Sequence, residues 1–118
     1  MEIYTESSGP TGIITFLGKT LGEPADSKLF ETQFKTLLKE GVKQVILDLH
    51  QVHRINSTGL AILITATTLL SNSGGSKVAL AGSNDFIKGA LTLTRLNQFF
   101  DCYDDVSEAT EKLNVSSH

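Results

Sequence analysis

Two neighbouring stretches decide the fold of this chain: Val45-Ile46-Leu47-Asp48-Leu49 and Ile55-Asn56-Ser57-Thr58-Gly59-Leu60-Ala61-Ile62-Leu63. The first is a short apolar run with β-branched residues, which predicts a strand covered on both faces. Polar residues from His50 to Arg54 end that strand before helix-forming residues resume. Ser57 therefore lies where a helix starts, and we expect it to be the N-cap. A cap alone would explain this serine, but a phosphate added there would also meet the favourable field of unpaired backbone N–H groups.

The rest of the chain predicts alternating strands and helices. Strand-like runs Ile3 to Ser8 and Ile13 to Leu17 flank turn residues, which predicts an antiparallel hairpin. The later elements that we predict are a helix from Pro24 to the stop at Gly41, strand Gln44 to Leu49, helix Thr58 to Asn72, strand Lys77 to Ala81, helix Asp85 to Leu93 and a short surface helix within Cys102 to Leu113. This order predicts an α/β fold: a mixed β-sheet, with an opening hairpin plus parallel strands and about four helices. We expect one domain over residues 1–118, with residues 114–118 as a frayed tail.

Composition and charge exclude several classes of function. The 118 residues include ten basic and thirteen acidic ones, for a net charge of −3. Without a basic stripe, neither nucleic acid nor an anionic membrane surface is an expected partner. The longest apolar-leaning run, Gly59 to Leu70, is shorter than the roughly 20 residues that a membrane span requires. We therefore expect no membrane insertion and, since the first residues do not resemble a secretion signal, a cytoplasmic protein.

Three enzyme-like patterns are present but incomplete. Gly18-Lys19-Thr20 resembles the end of a phosphate-binding loop, yet Ile13 stands where that loop needs a glycine. Ser57 resembles a hydrolase nucleophile, but Ile55 replaces the first glycine of the usual turn. The residues that could complete a triad or bind a metal all lie within ten positions of the serine: Asp48, His50 and His53. Two histidines three apart on a strand end do not point the same way, and so we predict no catalytic residue, metal or cofactor.

The helix from Thr58 to Asn72 is apolar nearly all round. One face, which should cover the sheet, comprises Leu60, Leu63, Ile64, Thr67 and Leu70. A second face comprises Ile62, Ala66 and Leu69. This second face is either buried under a neighbouring helix or a partner-binding surface beside Ser57.

Three segments, taken in order and with their spacing, resemble a STAS domain. They are Val45 to Leu63, the Gly74-Gly75 turn with the strand that ends at Leu80, and Ile87 to Phe100. The anti-sigma factor antagonists are the most similar type. The resemblance implies that the chain is not an enzyme but a partner-switching regulator. It also implies that Ser57 is the phosphoacceptor, with Thr58 as the second choice.

The resemblance further implies two protein partners and a binding surface. A serine kinase of the ATP-binding anti-sigma class would bind the unphosphorylated chain, and a metal-dependent serine phosphatase would act on phospho-Ser57; a weak homodimer is also compatible. The implied partner-binding residues are Gly22, Glu23, Ile55, Asn56, Thr58, Gly59, Leu60 and Ile62. Asn56 stands where members of the family usually have an acidic residue. Members often carry a second acid after a glycine in the loop that follows the second strand, and here only Glu23, displaced from that position, could replace it. The alternative function is a non-switching STAS docking module in a transporter or scaffold.

Overall fold

The chain opens with an antiparallel hairpin. A computed structural model describes the backbone of residues 1–116 and the side chains of residues 1–113. Strand β1 (Glu2–Ser8) pairs with β2 (Thr11–Leu17), with Ser8 opposite Thr11. The connection is therefore only Gly9-Pro10, and Gly9 adopts φ +59°, which glycine accepts without a steric penalty. The predicted hairpin is confirmed, with a tighter turn than expected.

The remaining strands extend the sheet from the hairpin in chain order. The main sheet has the order β1-β2-β4-β6-β7, where β4 is Gln44–Asp48, β6 is Lys77–Ala81 and β7 is Asp101–Tyr103. All pairs after the hairpin are parallel. A separate two-stranded parallel ladder joins β3 (Thr20–Leu21) to β5 (Arg54–Ile55). The mixed α/β fold is thus as predicted, but the strands β3, β5 and β7 were not predicted.

In the part of the chain that the structure describes, four helices cover the two faces of the sheet unequally. They are α1 (Asp26–Lys39), α2 (Ser57–Asn72), α3 (Asp85–Leu93) and α4 (Val106–Ser116), and a short 3-10 helix spans Leu96–Phe99. Alternate residues of β4 enter two different cores, because side chains alternate across a strand. Val45 and Leu47 pack in the core beneath α1, α2 and α3, whereas Ile46 packs in a smaller core against α4. Within residues 1–116, no helix has both the length and the apolarity to cross a membrane.

Three predicted boundaries are wrong. Pro24 precedes α1, which starts at Asp26 because the Asp26 side chain turns back to bind the loop before the helix. Cys102 belongs to β7, and α4 starts only at Val106, after the Asp105 carboxylate accepts a hydrogen bond from the Glu108 N–H at 2.8 Å. The last helix ends at Ser116 rather than at Leu113, and residues 117 and 118 of the predicted tail lie outside the described residues.

The two apolar faces of α2 are not divided as the sequence suggested. Ile62 and Ala66, from the predicted second face, are buried, and Leu69 is partly buried against the same core. Ile64, from the face expected to cover the sheet, is 45% exposed. The cause is the position of α2, which packs on both the sheet and α1. The face that remains uncovered is therefore the one that carries Ile64.

Candidate functional site

Ser57 is the first residue of α2, and Asn56 rather than Ser57 is the helix cap. The Asn56 backbone is extended, and its side-chain Oδ1 accepts a hydrogen bond from the Gly59 N–H at 2.9 Å. The predicted cap is therefore wrong by one residue. As a result the Ser57 hydroxyl is not used for capping, is exposed, and has no hydrogen-bond partner among the residues that the structure describes.

The short β3–β5 ladder brings the loop at Gly22 and Glu23 to the start of α2. Leu21 lies opposite Ile55, and the Leu21 carbonyl accepts a hydrogen bond from the Asn56 N–H at 3.3 Å. The Asn56 side-chain Nδ2 then donates to the Gly22 carbonyl at 3.1 Å. Segments more than 30 residues apart in the sequence thereby form one surface around Ser57.

The glycines at this junction allow an unusually close approach. A Cβ on Gly59 would overlap the backbone carbonyl oxygen of Leu21. A Cβ on Gly22, which has φ +129°, would overlap the side chain of Asn56. Gly59 is required because the loop backbone contacts the helix start directly, and Gly22 because its φ is one that other residues rarely adopt.

Asp26 fixes the other side of the same loop, a role that the sequence analysis missed. Its buried Oδ2 accepts hydrogen bonds from the N–H groups of Gly22 and Glu23 at 3.1 and 2.9 Å, and its Oδ1 lies 3.1 Å from the amino group of Met1. Burial by itself raises the pKa of Asp26. The backbone hydrogen bonds and the positive amino group outweigh burial, and they hold the pKa below its ordinary value.

Replacing Asp26 should therefore make the free energy of unfolding less dependent on pH in the acidic range. A carboxyl group whose pKa is lowered on folding stabilises the native state above its unfolded pKa, near 3.9, and this contribution disappears as pH falls through the folded pKa. We expect Asp26→Asn to lose about 1–3 kcal/mol of unfolding free energy at pH 7. The difference from the wild-type chain should shrink below about pH 4. Urea unfolding at the two pH values measures it, and an equal difference at both would contradict the role of the charge.

The predicted partner-binding residues are brought together, but not all of them reach the surface. Glu23 and Asn56 are exposed, and Thr58 and Leu60 are half-buried. Gly22 and Gly59 are buried and contribute close backbone contacts. Ile55 and Ile62 are only 6% and 2% exposed. These two isoleucines support the site from the core and cannot contact a partner directly.

Basic side chains that the sequence analysis did not assign to the site lie beside it. The Lys19 carbonyl accepts hydrogen bonds from the N–H groups of His53 and Arg54 at 2.7 and 2.9 Å. All three side chains are exposed. The β3–β5 ladder therefore joins the two segments that lead to Glu23 and to Ser57, and these exposed basic residues precede the site on both segments.

The residues considered for a triad or a metal site are arranged differently. His50 Nδ1 lies 2.7 Å from Asp48 Oδ1, and the same oxygen accepts a hydrogen bond from the His50 N–H at 3.1 Å. This pairing holds the imidazole against the end of β4 rather than against Ser57. Among the described residues, no group of three or more His, Cys, Asp and Glu side chains is placed to hold a metal ion.

This arrangement of strands, loop and helix start corresponds to a known family. The family model described as "STAS domain" matches residues 21–109. The chain belongs to the STAS domain family. The matched region begins at Leu21, the second residue of β3, and contains the Gly22–Glu23 loop, β5, Asn56 and Ser57.

Several relatives of this STAS domain are named as anti-sigma factor antagonists. A Thermotoga maritima protein that carries this name is 32% identical over 80 residues, which cover 68% of this chain and 70% of the relative. A crystal structure of such an antagonist from Thermotoga maritima has a TM-score of 0.77 at 25% identity, over 95% of this chain and 94% of that one. The unphosphorylated antagonist SpoIIAA has a TM-score of 0.80 over 96% of both chains, and its 14% identity shows the shared fold alone.

Proposed function

We propose that this STAS domain is a partner-switching anti-sigma factor antagonist. In this proposal it binds a serine kinase of the ATP-binding anti-sigma class when Ser57 is unmodified, and phosphorylation of Ser57 releases it. The observation that carries the proposal is the exposed Ser57 hydroxyl, which has no hydrogen-bond partner in the described chain and lies beside the Gly22–Glu23 loop. Thr58, which is half-buried, is the second choice of acceptor.

The position of Ser57 makes a phosphate acceptable in the free domain but costly in a complex. At the first turn of α2 a phosphate gains about 0.3–1 kcal/mol from the helix dipole. Burying a near-dianion in an interface without a matching cation costs several kcal/mol. A net penalty of about 3–4 kcal/mol weakens binding by hundreds of fold. Phosphorylation would then weaken the complex and leave the fold of the free domain intact.

The remaining parts of the proposal follow from the same role. A metal-dependent serine phosphatase would remove the phosphate from Ser57 and restore binding. The domain would act in the cytoplasm and have no catalytic activity of its own, since it contributes a substrate serine rather than an active site.

Mass spectrometry of the native protein tests the proposal directly. The intact mass and its fragmentation would be measured for protein isolated from its own cells, before and after phosphatase treatment. We expect a phosphate-sized adduct that maps to Ser57 and disappears on treatment. Protein that carries no adduct under several growth conditions would argue for a docking function instead.

The uncovered face of α2 supports docking as a second candidate function. Ile64 is 45% exposed and Phe99 is 63% exposed. They border a groove of about 330 Å³ lined by Ile64, Thr67, Thr68, Leu96, Phe99 and Phe100. Exposed apolar side chains that lie together are typical of interaction surfaces. If this STAS domain is a permanently docked subunit, Ile64→Asp should prevent assembly while Ser57→Glu should not.

A further inference from the structure

Two asparagines at this edge of the sheet each cap a helix and also bind a neighbouring loop. Asn56 Oδ1 accepts from the Gly59 N–H, and its Nδ2 donates to the Gly22 carbonyl. Asn84 Oδ1 accepts from the Ile87 N–H at 2.9 Å, and its Nδ2 donates to the His53 carbonyl at 3.0 Å. An ionised aspartate could cap the helix equally well but has no proton to donate to a carbonyl. The amide is therefore what links each helix start to a loop.

The Gly22 peptide is held from both sides by side chains of different helices. Its N–H donates to Asp26 Oδ2 of α1, and its carbonyl accepts from Asn56 Nδ2 at the start of α2. The next residue, Glu23, has its N–H bound to the same Asp26 oxygen, while its side chain is exposed. The backbone that carries the Glu23 side chain is thus held in place relative to Ser57 by Asp26 and Asn56.

We propose that Asn56 is a positioning residue that presents Glu23 and Ser57 to a partner as one rigid unit. This inference rests on the proposed function and specifies its recognition chemistry. The Asn56 side chain is an amide, so position 56 contributes no negative charge and instead supplies a hydrogen bond that fixes the loop. The carboxylate available to a partner is then that of Glu23. The fitting partner surface places a cation against Glu23 and a neutral group against Asn56.

Hydrogen exchange tests the positioning role without any partner. The reporters are the Gly22 and Glu23 amides, measured by NMR in the wild-type chain, Asn56→Asp and Asn56→Ser. Both variants keep an oxygen that caps α2 but lose the Nδ2 group that donates to Gly22: aspartate has no proton there, and the serine hydroxyl is on a shorter side chain. Only Asn56→Asp adds a charge. Losing one hydrogen bond should speed exchange at both amides by about fivefold in each variant. Asn84→Asp is the matched control, which should leave both reporters unchanged because it releases His53 instead.

Phosphorylation kinetics then separate positioning from chemistry. The substrates are the wild-type chain, Asn56→Ser and Glu23→Gln. The kinase that phosphorylates them is first purified by its binding to immobilised Ser57→Ala protein. We expect Asn56→Ser to raise KM by about fivefold while kcat stays within about twofold. Glu23→Gln should raise KM without changing the exchange of the loop. A lower kcat with unchanged KM would overturn the positioning role.

The failure of this inference is distinguishable from failure of the proposed function. Equal exchange at Gly22 and Glu23 in the wild-type chain and both Asn56 variants would overturn the inference, even if Ser57 carries phosphate in cells. Faster exchange in the variants, together with a Ser57 that is never phosphorylated, would overturn the proposed function and leave the attachment of the loop intact.

Discussion

Ser57→Glu is expected to weaken kinase binding by about a hundredfold or more, while Ser57→Ala should bind within about twofold of the wild-type chain. The glutamate places a permanent negative charge at the exposed start of α2, where the free domain accepts it. In the complex the same charge must lose its hydration without a matching cation, which costs several kcal/mol. Alanine removes only a hydroxyl that has no hydrogen-bond partner in the described chain.

Isothermal titration calorimetry with the purified kinase measures this difference. Ser71→Glu is the matched control, since Ser71 is also an exposed serine of α2 but lies near the other end of the helix. It should bind like the wild-type chain. Circular dichroism should show that all variants keep the same fold. Equal affinities for the glutamate and alanine variants of Ser57 would contradict partner switching at this residue.

Gly59→Ala is expected to destabilise the domain by about 2–4 kcal/mol, a large loss for a single methyl group. Its new Cβ would overlap the Leu21 carbonyl oxygen and would lie 2.6 Å from the Ile55 side chain. The overlapping oxygen belongs to the backbone, so a change of side-chain rotamer cannot relieve the clash. The loop must move away from α2, which also breaks the hydrogen bond between Asn56 and Gly22. Urea unfolding at neutral pH measures the loss.

Gly89→Ala provides the control for this substitution. Gly89 also lies within a helix, but a Cβ there would meet no atom within 4 Å. Alanine has the higher helix propensity, so Gly89→Ala should stabilise the domain by about 0.5–1 kcal/mol. If Gly59→Ala were as stable as the wild-type chain, the loop would not be packed against α2 as described.

The parts of the fold that were predicted correctly are those with a strong local pattern. The buried run of β4, the hairpin and the long apolar helix α2 are visible because their periodicity or turn residues require no knowledge of distant contacts. The two-residue strands β3 and β5 have no periodicity to detect. They exist only because Lys19 to Leu21 and His53 to Asn56 meet in the folded chain.

Ser57 does lie where a strand leads into a helix, as predicted, but the hydrogen bonds around it were not predicted. Asn56 and Ser57 are both favourable N-caps, and local preference does not choose between them. The Gly22 carbonyl, 34 residues away, favours Asn56, whose amide accepts the capping hydrogen bond with Oδ1 and donates a second one to Gly22 with Nδ2. Asp26 was overlooked for the same reason. An acidic residue in the first turn of a helix is usually explained by its favourable interaction with the helix dipole. The contacts of Asp26 with Gly22 and Glu23 appear only in three dimensions.

The strand order of the main sheet has a consequence for how the chain folds during synthesis. After the hairpin, β4, β6 and β7 each join the edge that the preceding strand left open. No strand has to insert between two that are already paired, so a growing chain can build the sheet in the order in which the ribosome releases it. The Gly22–Glu23 loop leaves the ribosome before α2, and the surface around Ser57 is complete only once Asn56 has emerged to bind it.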